Sequence, residues 1–387
     1  MNYLTYSVYI ILPLVLFWNA KVFYKSGSFN EEFMSLEQTK AFQGFLAICI
    51  MLHHIAQKTC ASWIWPQERI IHGLDPFVSA GYIMVSFFLF FNGYGLYKSY
   101  TSKPGYLNGF FKRRILPLIL CMNLTGLIFF FARLLLGEKM NLKTALLYLS
   151  NIKLCNPNSW YVIVLPFFYL AFYLSFRFIK KDGIATASTC LFVILYMLFA
   201  TTIDHNDYWI RGEWWYNSVF LFPVGILFAR YESAITAHLK KLYPVYLVLS
   251  VPLLVILCKT TRVWLNIFSY YGETWGAPDT ILRRRLCLLM QSLLCLSFVF
   301  TSLLIGMKIR IGNRFLRFMG GITLEFYMIH GLFVELFTYE FDGTLKTPYT
   351  FTNVPLYIIT VFVLGLPAAC LLKKLIRGIC KTKQSCL

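Results

Sequence analysis

The sequence predicts an all-α fold, a polytopic bundle of transmembrane helices. Of the 387 residues, 58% are hydrophobic and only 14% are charged, whereas soluble domains carry about 25% charged residues. The mean hydropathy is +0.62. The chain is also rich in aromatic residues, with 37 Phe, 25 Tyr and 9 Trp, which excludes an intrinsically disordered chain. A water-soluble enzyme is excluded by the same composition.

Eleven apolar stretches are long enough to cross the membrane, because a hydrocarbon layer of ~30 Å takes about 20 helical residues. All except the tenth lack Asp, Glu, Lys and Arg, and the tenth contains Glu325 and Glu335. The first has no basic leader or small-residue cleavage site, so we interpret it as a retained span. The predicted transmembrane helices are residues 1–20, 41–57, 76–97, 115–132, 159–176, 183–203, 214–229, 242–258, 286–307, 318–339 and 347–372.

The charges of the loops predict the orientation. Alternate loops and the C-terminal tail carry 23 basic and 5 acidic residues, whereas the other loops carry 13 and 10. Basic residues collect on the cytoplasmic side, so we expect a plasma-membrane protein with its N-terminus outside and its C-terminus in the cytoplasm. The run 283–285 is a basic exception on the outer side. Because the net charge of +19 is spread over many short loops, nucleic acid is not an expected partner.

Two histidines lie at similar depth in different predicted spans. His54 follows Lys40, at the cytoplasmic edge of the second span, by fourteen residues, or roughly 21 Å at 1.5 Å per residue. His330 lies about 18 Å along the tenth span from Phe318, on the same side. Ionisable groups at this depth are costly and indicate function. Neutral imidazole can act as a base or an acid, or bind a metal, so both histidines are candidates for chemistry.

A structural role is the alternative for these polar residues. A buried histidine often only bonds a neighbouring helix, and the adjacent His53 and His54 point about 100° apart, so at most one faces a given cavity. Glu325 and Glu335 can equally be packing partners of polar groups on the outer side. Intramembrane carboxylates and histidines also form proton relays, so a proton-coupled transporter or lipid-glycan flippase is the alternative function. No inverted repeat or matching pair of broken helices supports that alternative.

A basic loop, residues 98–114, follows the third span. Asn92 lies one to two turns inside the cytoplasmic edge of that span, and Arg113 and Arg114 close the loop. Clustered ammonium and guanidinium groups suit phosphate, because arginine offers a bidentate fork. A positive inner loop is also what topology alone requires. The 11 Cys show no paired spacing, so neither a disulfide framework nor a metal site is expected.

Taken in order, these segments resemble the acyltransferase type 3 family of integral-membrane acyltransferases. Residues 43–54 are similar to the family's first-helix motif of an Arg, ten residues and a His. The aromatic run 87–94 is similar to a family run that ends in Ser-Gly-Tyr or Ser-Gly-Phe, and residues 110–117 resemble its Phe/Arg-rich loop with a following Pro. Trp160 and Tyr161 resemble an aromatic pair that opens a later span, and residues 327–330 resemble the closing Tyr-x-x-His.

Two positions depart from the family pattern. Gln43 stands where the motif has Arg, and Asn92 stands where the family usually has Ser. Glutamine supplies no positive charge to a phosphate or an oxyanion. Lys40 precedes Gln43 by three residues, on nearly the same helix face, and is the expected substitute.

The resemblance implies transfer of an acyl group, usually acetyl from cytoplasmic acetyl-CoA, to a hydroxyl of an extracytoplasmic glycan, lipid or small molecule. It implies acyl-CoA as donor substrate and no bound cofactor or metal. We expect His54 to act as general base, with an acyl-histidine intermediate as the open variant. Tyr327 and His330 would stabilise the thioester oxyanion or position the acceptor. The expected donor-binding residues are Lys40, Gln43, Asn92, Arg113 and Arg114, and the expected acceptor-side residues are Trp160 and Tyr161.

The resemblance also implies the division of the chain. Residues 1–39 would form a leading transmembrane helix with its inner loop, residues 40–376 the ten-helix acyltransferase core, and residues 377–387 a basic cytoplasmic tail. The expected partners are acyl-CoA, a carbohydrate acceptor and membrane lipid.

Overall fold

The computed structural model describes residues 3–64, 73–203, 213, 215–268 and 277–385, the last five by their backbone only. The structure is 74% helical with almost no sheet. In the described ranges the helices are α1 (Val8–Phe17), α2 (Leu36–Thr59), α3 (Gly81–Ser102), α4 (Leu116–Leu135), α5 (Leu142–Leu149), α6 (Trp160–Phe178), α7 (Asp182–Ala200), α8 (Leu221–Arg230), α9 (Glu232–Lys241), α10 (Tyr243–Ile267), α11 (Thr280–Lys308), α12 (Arg314–Gly321), α13 (Thr323–Leu336) and α14 (Val354–Ser385). Single turns at Tyr3–Ser7, Asp75–Phe77 and Phe111–Ile115 precede α1, α3 and α4.

The predicted class, an all-α membrane bundle, is confirmed. Within the described ranges seven helices are long and apolar enough to span a membrane, namely α2, α4 with its preceding turn, α6, α7, α10, α11 and α14. Shorter or less apolar helices, α1, α3, α8 and α13, occupy the other four predicted spans. Met1 and Trp214, where two of the predicted spans begin, lie outside the described residues. The protein is therefore an integral membrane protein.

Helix α2 lies at the centre of the bundle. Of its most apolar window 72% is buried inside the protein, against 11% for α10, which faces outward. Ser35 caps the start of α2 by accepting a hydrogen bond from the backbone N–H of Gln38 at 3.3 Å. The part of α2 that contains His54 is thus surrounded by protein on most sides.

The tenth predicted span is two helices rather than one. α12 ends at Gly321 and α13 starts at Thr323, and the backbone of α12 packs directly against that of α2. A Cβ atom on Gly320 would lie 2.1 Å from the carbonyl oxygen of Lys40, and one on Gly44 would lie 2.5 Å from the Gly320 nitrogen. Only glycine permits this approach, and adjacent glycines are poor helix formers. The chain turns at Ile322 as a result.

A second glycine pair joins α3 to α8. A Cβ atom on Gly93 would lie 2.0 Å from the carbonyl oxygen of Phe222, and one on Gly225 would lie 2.0 Å from that of Phe90. Each glycine therefore receives a backbone carbonyl of the opposite helix, as small residues do at helix interfaces in membranes. This contact fixes the aromatic third span beside the centre of the bundle.

Loops that the charge pattern assigns to one side do lie together. The two-residue strand β1 (Lys21–Val22) pairs antiparallel with β2 (Ile309–Arg310), with Lys21 opposite Arg310. Lys98 forms an ion pair with Glu232 at 2.8 Å. These loops define what we call the basic end of the bundle.

The opposite end carries its own contacts. Lys58 pairs with Glu335 at 2.9 Å, and the buried Arg133 contacts Glu138 at 3.0 Å and also Asp342. Asp342 lies between strands β3 (Glu340–Phe341) and β4 (Leu345–Lys346), which form a small hairpin over this end. The predicted alternation of loops between two ends thus agrees with the fold.

The basic exception at 283–285 has a structural reason. Arg284 is only 3% exposed and donates to the carbonyl oxygen of Ile203 at 2.7 Å. Arg283 pairs with Asp279 at 2.6 Å. These charges are held by protein groups at the end of the bundle that carries Glu335.

Candidate active site

His54 and His330 meet in the centre of the bundle. The Nδ1 atom of His54 lies 2.8 Å from the Nε2 atom of His330, and their ring centroids are 5.0 Å apart. The Nδ1 atom of His330 lies 2.7 Å from the carbonyl oxygen of Phe326, one turn earlier in α13. The depth argument from the sequence thus predicts two residues that the fold brings into contact.

This geometry assigns the tautomers when both rings are neutral. The Phe326 carbonyl can only accept, so the Nδ1 atom of His330 carries a hydrogen and its Nε2 atom accepts from the Nδ1–H of His54. A neutral imidazole carries one N–H, so the Nε2 atom of His54 has a free lone pair. Among the described residues it has no hydrogen-bond partner. Both nitrogens of His330 are bonded, so the open nitrogen belongs to His54.

His53 has a different environment from its neighbour. Its Nδ1 atom lies 2.7 Å from the carbonyl oxygen of Phe77, and its ring packs over Gly81, where a Cβ atom would lie 2.3 Å from Nε2. His53 therefore fastens α2 to the start of α3. This is the structural role that the sequence left open for one of the two adjacent histidines.

Tyrosine side chains surround the histidine pair. The Tyr327 ring centroid lies 6.5 Å from that of His54 and 5.6 Å from that of Tyr161. The Tyr327 hydroxyl has no hydrogen-bond partner among the described residues. Trp160 packs edge-on against Tyr161, with ring centroids 6.2 Å apart. Trp160 and Tyr161, the predicted acceptor-side pair, therefore lie beside Tyr327, the predicted catalytic tyrosine, and we call this group with Tyr169 the tyrosine wall.

Asn92 is connected to that wall rather than to an open cavity. Its amide nitrogen donates to the Phe88 carbonyl at 2.8 Å and to the Tyr161 hydroxyl at 2.6 Å. The Tyr169 hydroxyl donates to its amide oxygen. Tyr161 thus accepts from Asn92 and keeps its own hydroxyl hydrogen for another partner. Sequence reasoning missed Tyr169, because a third tyrosine in an aromatic span carries no distinguishing pattern.

Gln43 and Lys40 lie nearer the basic end of α2. Gln43 is buried, and no hydrogen-bond partner for its amide lies in the described ranges. Lys40 is exposed and interacts electrostatically with Lys373, Glu325 and Arg114. The structure thus places Lys40, the expected substitute for the positive charge of the motif, among charged groups at the basic end.

Arg113 and Arg114 are engaged within their own loop. Arg113 donates through one nitrogen to the carbonyl oxygens of Tyr106 and Asn108, both at 2.6 Å. Arg114 donates to the Tyr106 hydroxyl at 2.8 Å and lies over the same ring. Their first function in the structure is to shape this loop.

Two asparagines missed by sequence reasoning cover α13 near His330. Asn156, which is buried, donates to the Met328 carbonyl at 2.9 Å, and a Cβ atom on Gly331 would lie 2.4 Å from the amide nitrogen of Asn158.

Burial raises the pKa of the nearby Cys155 thiol to about 12, so that group is a neutral thiol. In the described part of the chain no three His, Cys, Asp or Glu residues are grouped to hold a metal ion.

The two intramembrane carboxylates have separate environments. Glu335 pairs with Lys58 and also accepts from the backbone N–H of Asp342 at 2.7 Å. Glu325 is buried at the other end of α13, where Lys373, Lys40 and Arg377 are its charged neighbours. Neither contacts the histidine pair among the interactions of the described residues.

Comparison with known proteins gives a family. A family model described as an acyltransferase domain, of the acyltransferase type 3 family, matches residues 40–374. No curated protein and no solved structure matches the chain. Because the model covers nearly the whole chain, this protein belongs to the family and is a membrane acyltransferase. The match contains the histidine pair, the tyrosine wall and the loop with Arg113 and Arg114.

Proposed function

We propose that this acyltransferase moves an acetyl group from cytoplasmic acetyl-CoA to a hydroxyl of an extracytoplasmic acceptor, with carbohydrate as the acceptor class. The single observation that carries the proposal is the chain from the Phe326 carbonyl through His330 to His54. It leaves one unprotonated imidazole nitrogen, the Nε2 atom of His54, without a hydrogen-bond partner among the described residues, near the centre of the bundle. The proposed setting is the plasma membrane, with the N-terminus outside and the basic end in the cytoplasm.

In the proposed reaction His54 is the general base. Its Nε2 atom takes the proton of the acceptor hydroxyl as the hydroxyl oxygen attacks the thioester carbonyl carbon. The carbon–sulfur bond of the tetrahedral intermediate then breaks, and the proton passes from Nε2 to the departing sulfur. The products are the acetyl ester and free CoA, and His54 returns to its starting tautomer.

His330 is proposed as a positioning residue rather than an oxyanion donor. Both of its ring nitrogens are already bonded, one to Phe326 and one to His54, and its side chain is fully buried. It fixes the ring orientation of His54 and accepts from the Nδ1–H of the imidazolium that forms during the reaction. This is the arrangement by which a second group orients a catalytic histidine.

The tyrosines are the proposed donors to the oxyanion. Tyr327 has a hydroxyl without a hydrogen-bond partner in the described ranges, and Tyr161 keeps its hydroxyl hydrogen because Asn92 donates to it. Hydrogen-bond donors fixed in a dry site stabilise developing negative charge strongly. Asn92 and Tyr169 act through Tyr161 in this proposal. Trp160 supplies an aromatic face next to the acceptor.

A proton relay fits the same residues less well. A relay needs groups that both accept and release protons, and the chain of contacts from His54 ends at a backbone carbonyl. Glu325 and Glu335 lie in separate ion clusters. Transport coupled to protons through this histidine pair therefore has no continuation toward either end among the described contacts.

The proposed function is tested with purified protein in lipid vesicles. Acetyl-CoA labelled in the acetyl group is supplied with and without an envelope-glycan extract, and free CoA and labelled extract are measured together. Acceptor-dependent CoA release with equal labelling of the extract supports acyl transfer. A burst of release without acceptor, equal to the amount of enzyme, indicates the acyl-histidine variant. The proposal is contradicted if correctly folded protein releases no CoA and instead carries protons into the vesicles.

A further inference from the structure

A groove of about 610 Å³ opens at the basic end of the bundle, between α12, the turn at Ile322 and the later part of α14. Four cationic side chains and two apolar ones are its characteristic lining, and we call it the basic groove. These residues are Arg317, Phe318, Ile322, Lys373, Lys374 and Arg377. A lining of cationic and apolar side chains indicates a ligand that has both anionic and apolar parts.

The cations of the basic groove are only partly neutralised by the protein. Arg317 pairs with Glu37, and Lys373 donates to the carbonyl oxygen of Gly321. Lys374 and Arg377 are exposed and have no ion-pair or hydrogen-bond partner among the described residues. Concentrated positive charge in a concave surface attracts and holds an anion.

The field around the groove stays positive when the acidic neighbour is counted. Glu325 is the carboxylate that interacts with Lys373, Lys40 and Arg377. It offsets one of these three charges. Lys40 in turn interacts with Arg114, so the groove continues the positive surface from α14 across the start of α2.

The distance from the groove to the histidine pair is within reach of the whole donor molecule, though it is longer than the pantetheine arm alone. Lys40 marks the level of the groove along α2, and His54 lies roughly 21 Å further at 1.5 Å per residue. Thirteen bonds separate the sulfur of CoA from its first phosphorus. An extended chain that advances ~3.4 Å for every three bonds covers about 15 Å over this arm. With the thioester beside His54, the first phosphorus lies about 6 Å short of the level of Lys40, and the second phosphate and the 3′-phosphate beyond it extend toward the groove.

We infer that the basic groove binds the phosphate groups of the acyl-CoA donor, with Lys374 and Arg377 contacting phosphate oxygens. This inference rests on the proposed function and deepens it. It moves the phosphate site from the loop with Arg113 and Arg114 to α14, because those two arginines already donate to groups of their own loop. Lys374 and Arg377 of α14 have no such partner among the described residues and are available to phosphate.

The same phosphate chemistry is found in an anionic phospholipid headgroup. The length of the pantetheine arm favours the nucleotide, because a headgroup would place nothing beside His54. Membrane lipid at the groove is therefore an outcome that the experiment must separate from CoA.

The test compares the double variant Lys374→Gln/Arg377→Gln with Arg177→Gln, which removes an exposed cation at the end of α6. CoA binding is measured directly on detergent-purified protein. Acetyl transfer is measured with acetyl-CoA and with S-acetylpantetheine, which lacks every phosphate. The double variant is expected to lose tenfold or more in CoA affinity, because a hydrogen bond to a charged group contributes about 1.5–3 kcal/mol. Its turnover of S-acetylpantetheine, and both activities of Arg177→Gln, should equal those of the unchanged protein.

Other outcomes overturn distinct claims. Unchanged CoA affinity in the double variant, beside an active unchanged protein, overturns the groove and leaves the proposed function intact. If the double variant loses turnover of acetyl-CoA and of S-acetylpantetheine equally, its defect is general, and the assignment of the groove to phosphate is also overturned. Lipid binding is also measured in nanodiscs. If the double variant keeps its CoA affinity and loses only its preferential binding of phosphatidylglycerol over phosphatidylcholine, the groove is a lipid site and the CoA assignment is wrong. An unchanged protein that neither binds CoA nor transfers acetyl overturns the proposed function itself.

Discussion

Two neighbouring histidines on α2 have different roles because their rings point to different partners. His53 donates to a loop carbonyl and packs over a glycine, whereas His54 donates to His330 and retains an open nitrogen. The sequence predicts the depth of His54 and His330, since depth follows from helical rise. It cannot predict which ring nitrogen stays open, because that depends on rotamers and on the Phe326 carbonyl, which every residue type would offer.

The positioning role of His330 predicts a difference between two amide substitutions. Glutamine places an amide oxygen near the position of Nε2, where it can still accept from His54, whereas asparagine reaches only the position of Nδ1. His330→Gln should therefore retain at least tenfold more transfer activity than His330→Asn, and the KM for acetyl-CoA should change little in either. Equal loss in both variants, with equal thermal stability, would assign His330 a proton-transfer role instead.

The tyrosine wall predicts a second residue-scale effect. Tyr169→Phe removes the hydroxyl that donates to Asn92 but touches neither substrate in the proposal, whereas Tyr327→Phe removes a proposed oxyanion donor. Loss of one such donor costs about 10²–10³ in kcat, so Tyr327→Phe should lower kcat by about that factor and Tyr169→Phe by much less. The measurement is steady-state CoA release with saturating donor. A larger effect at Tyr169 would contradict the assignment.

Helix contacts in this bundle depend on glycine at a few positions. Gly93 faces a backbone carbonyl of α8 at a distance that excludes a Cβ atom, whereas a Cβ atom on Gly95, two residues later in α3, would have no neighbouring atom within 4 Å. Composition showed an aromatic, apolar third span, but it could not show which glycine faces α8, because that requires the rotation of both helices.

Matched alanine substitutions test this contact. Gly93→Ala should destabilise the protein by about 1–3 kcal/mol through overpacking, and Gly95→Ala should leave stability unchanged or raise it by up to ~1 kcal/mol through helix propensity. Thermal unfolding in the same detergent gives the comparison. A Gly93→Ala protein as stable as the unchanged protein would show that α3 and α8 do not approach so closely.

The ion cluster at the end of the bundle opposite the basic end holds the β3–β4 hairpin to α4. Arg133 is buried and contacts Glu138 and Asp342, whereas Lys240 and Glu31 form a more exposed pair at the basic end. Arg133→Gln should cost about 3 kcal/mol, since it removes the buried cation that two partly buried carboxylates share. Lys240→Gln should cost less than ~1 kcal/mol. Similar melting temperatures for the two variants would contradict this difference.

At the scale of the whole molecule, hydropathy and the distribution of charge predicted the all-α membrane class and the grouping of loops at two ends. They did not predict the break between α12 and α13, because the whole stretch is apolar and hydropathy does not show where a helix ends. They did not predict the short helices α5 and α9 either, because these lie in segments that hydropathy assigns to loops. The sequence motifs identified residues of the candidate site, such as His54, Tyr327 and His330, but not the contacts between them. The basic groove was not predictable, because its cations come from α12 and α14, far apart in the chain.

The proposed orientation predicts the accessibility of the termini. An epitope tag before residue 1 should be cleaved by protease added to intact cells, and a tag after residue 387 should be cleaved only when the membrane is opened. The opposite pattern would place the basic end outside, where no acyl-CoA is present, and would contradict the donor side of the proposal.

The most direct test of the central claim substitutes the two adjacent histidines in the same way. Asparagine keeps a donor near the position of Nδ1 in each, so His54→Asn preserves the contact to His330 and removes only the open Nε2, and His53→Asn preserves the bond to Phe77. Acceptor-dependent acetyl transfer from acetyl-CoA is measured for both in lipid, together with thermal stability. We predict that His54→Asn loses about 10²-fold or more of the transfer rate, while His53→Asn stays within a few-fold of the unchanged protein. A correctly folded His54→Asn protein that transfers acetyl at the original rate would contradict the account.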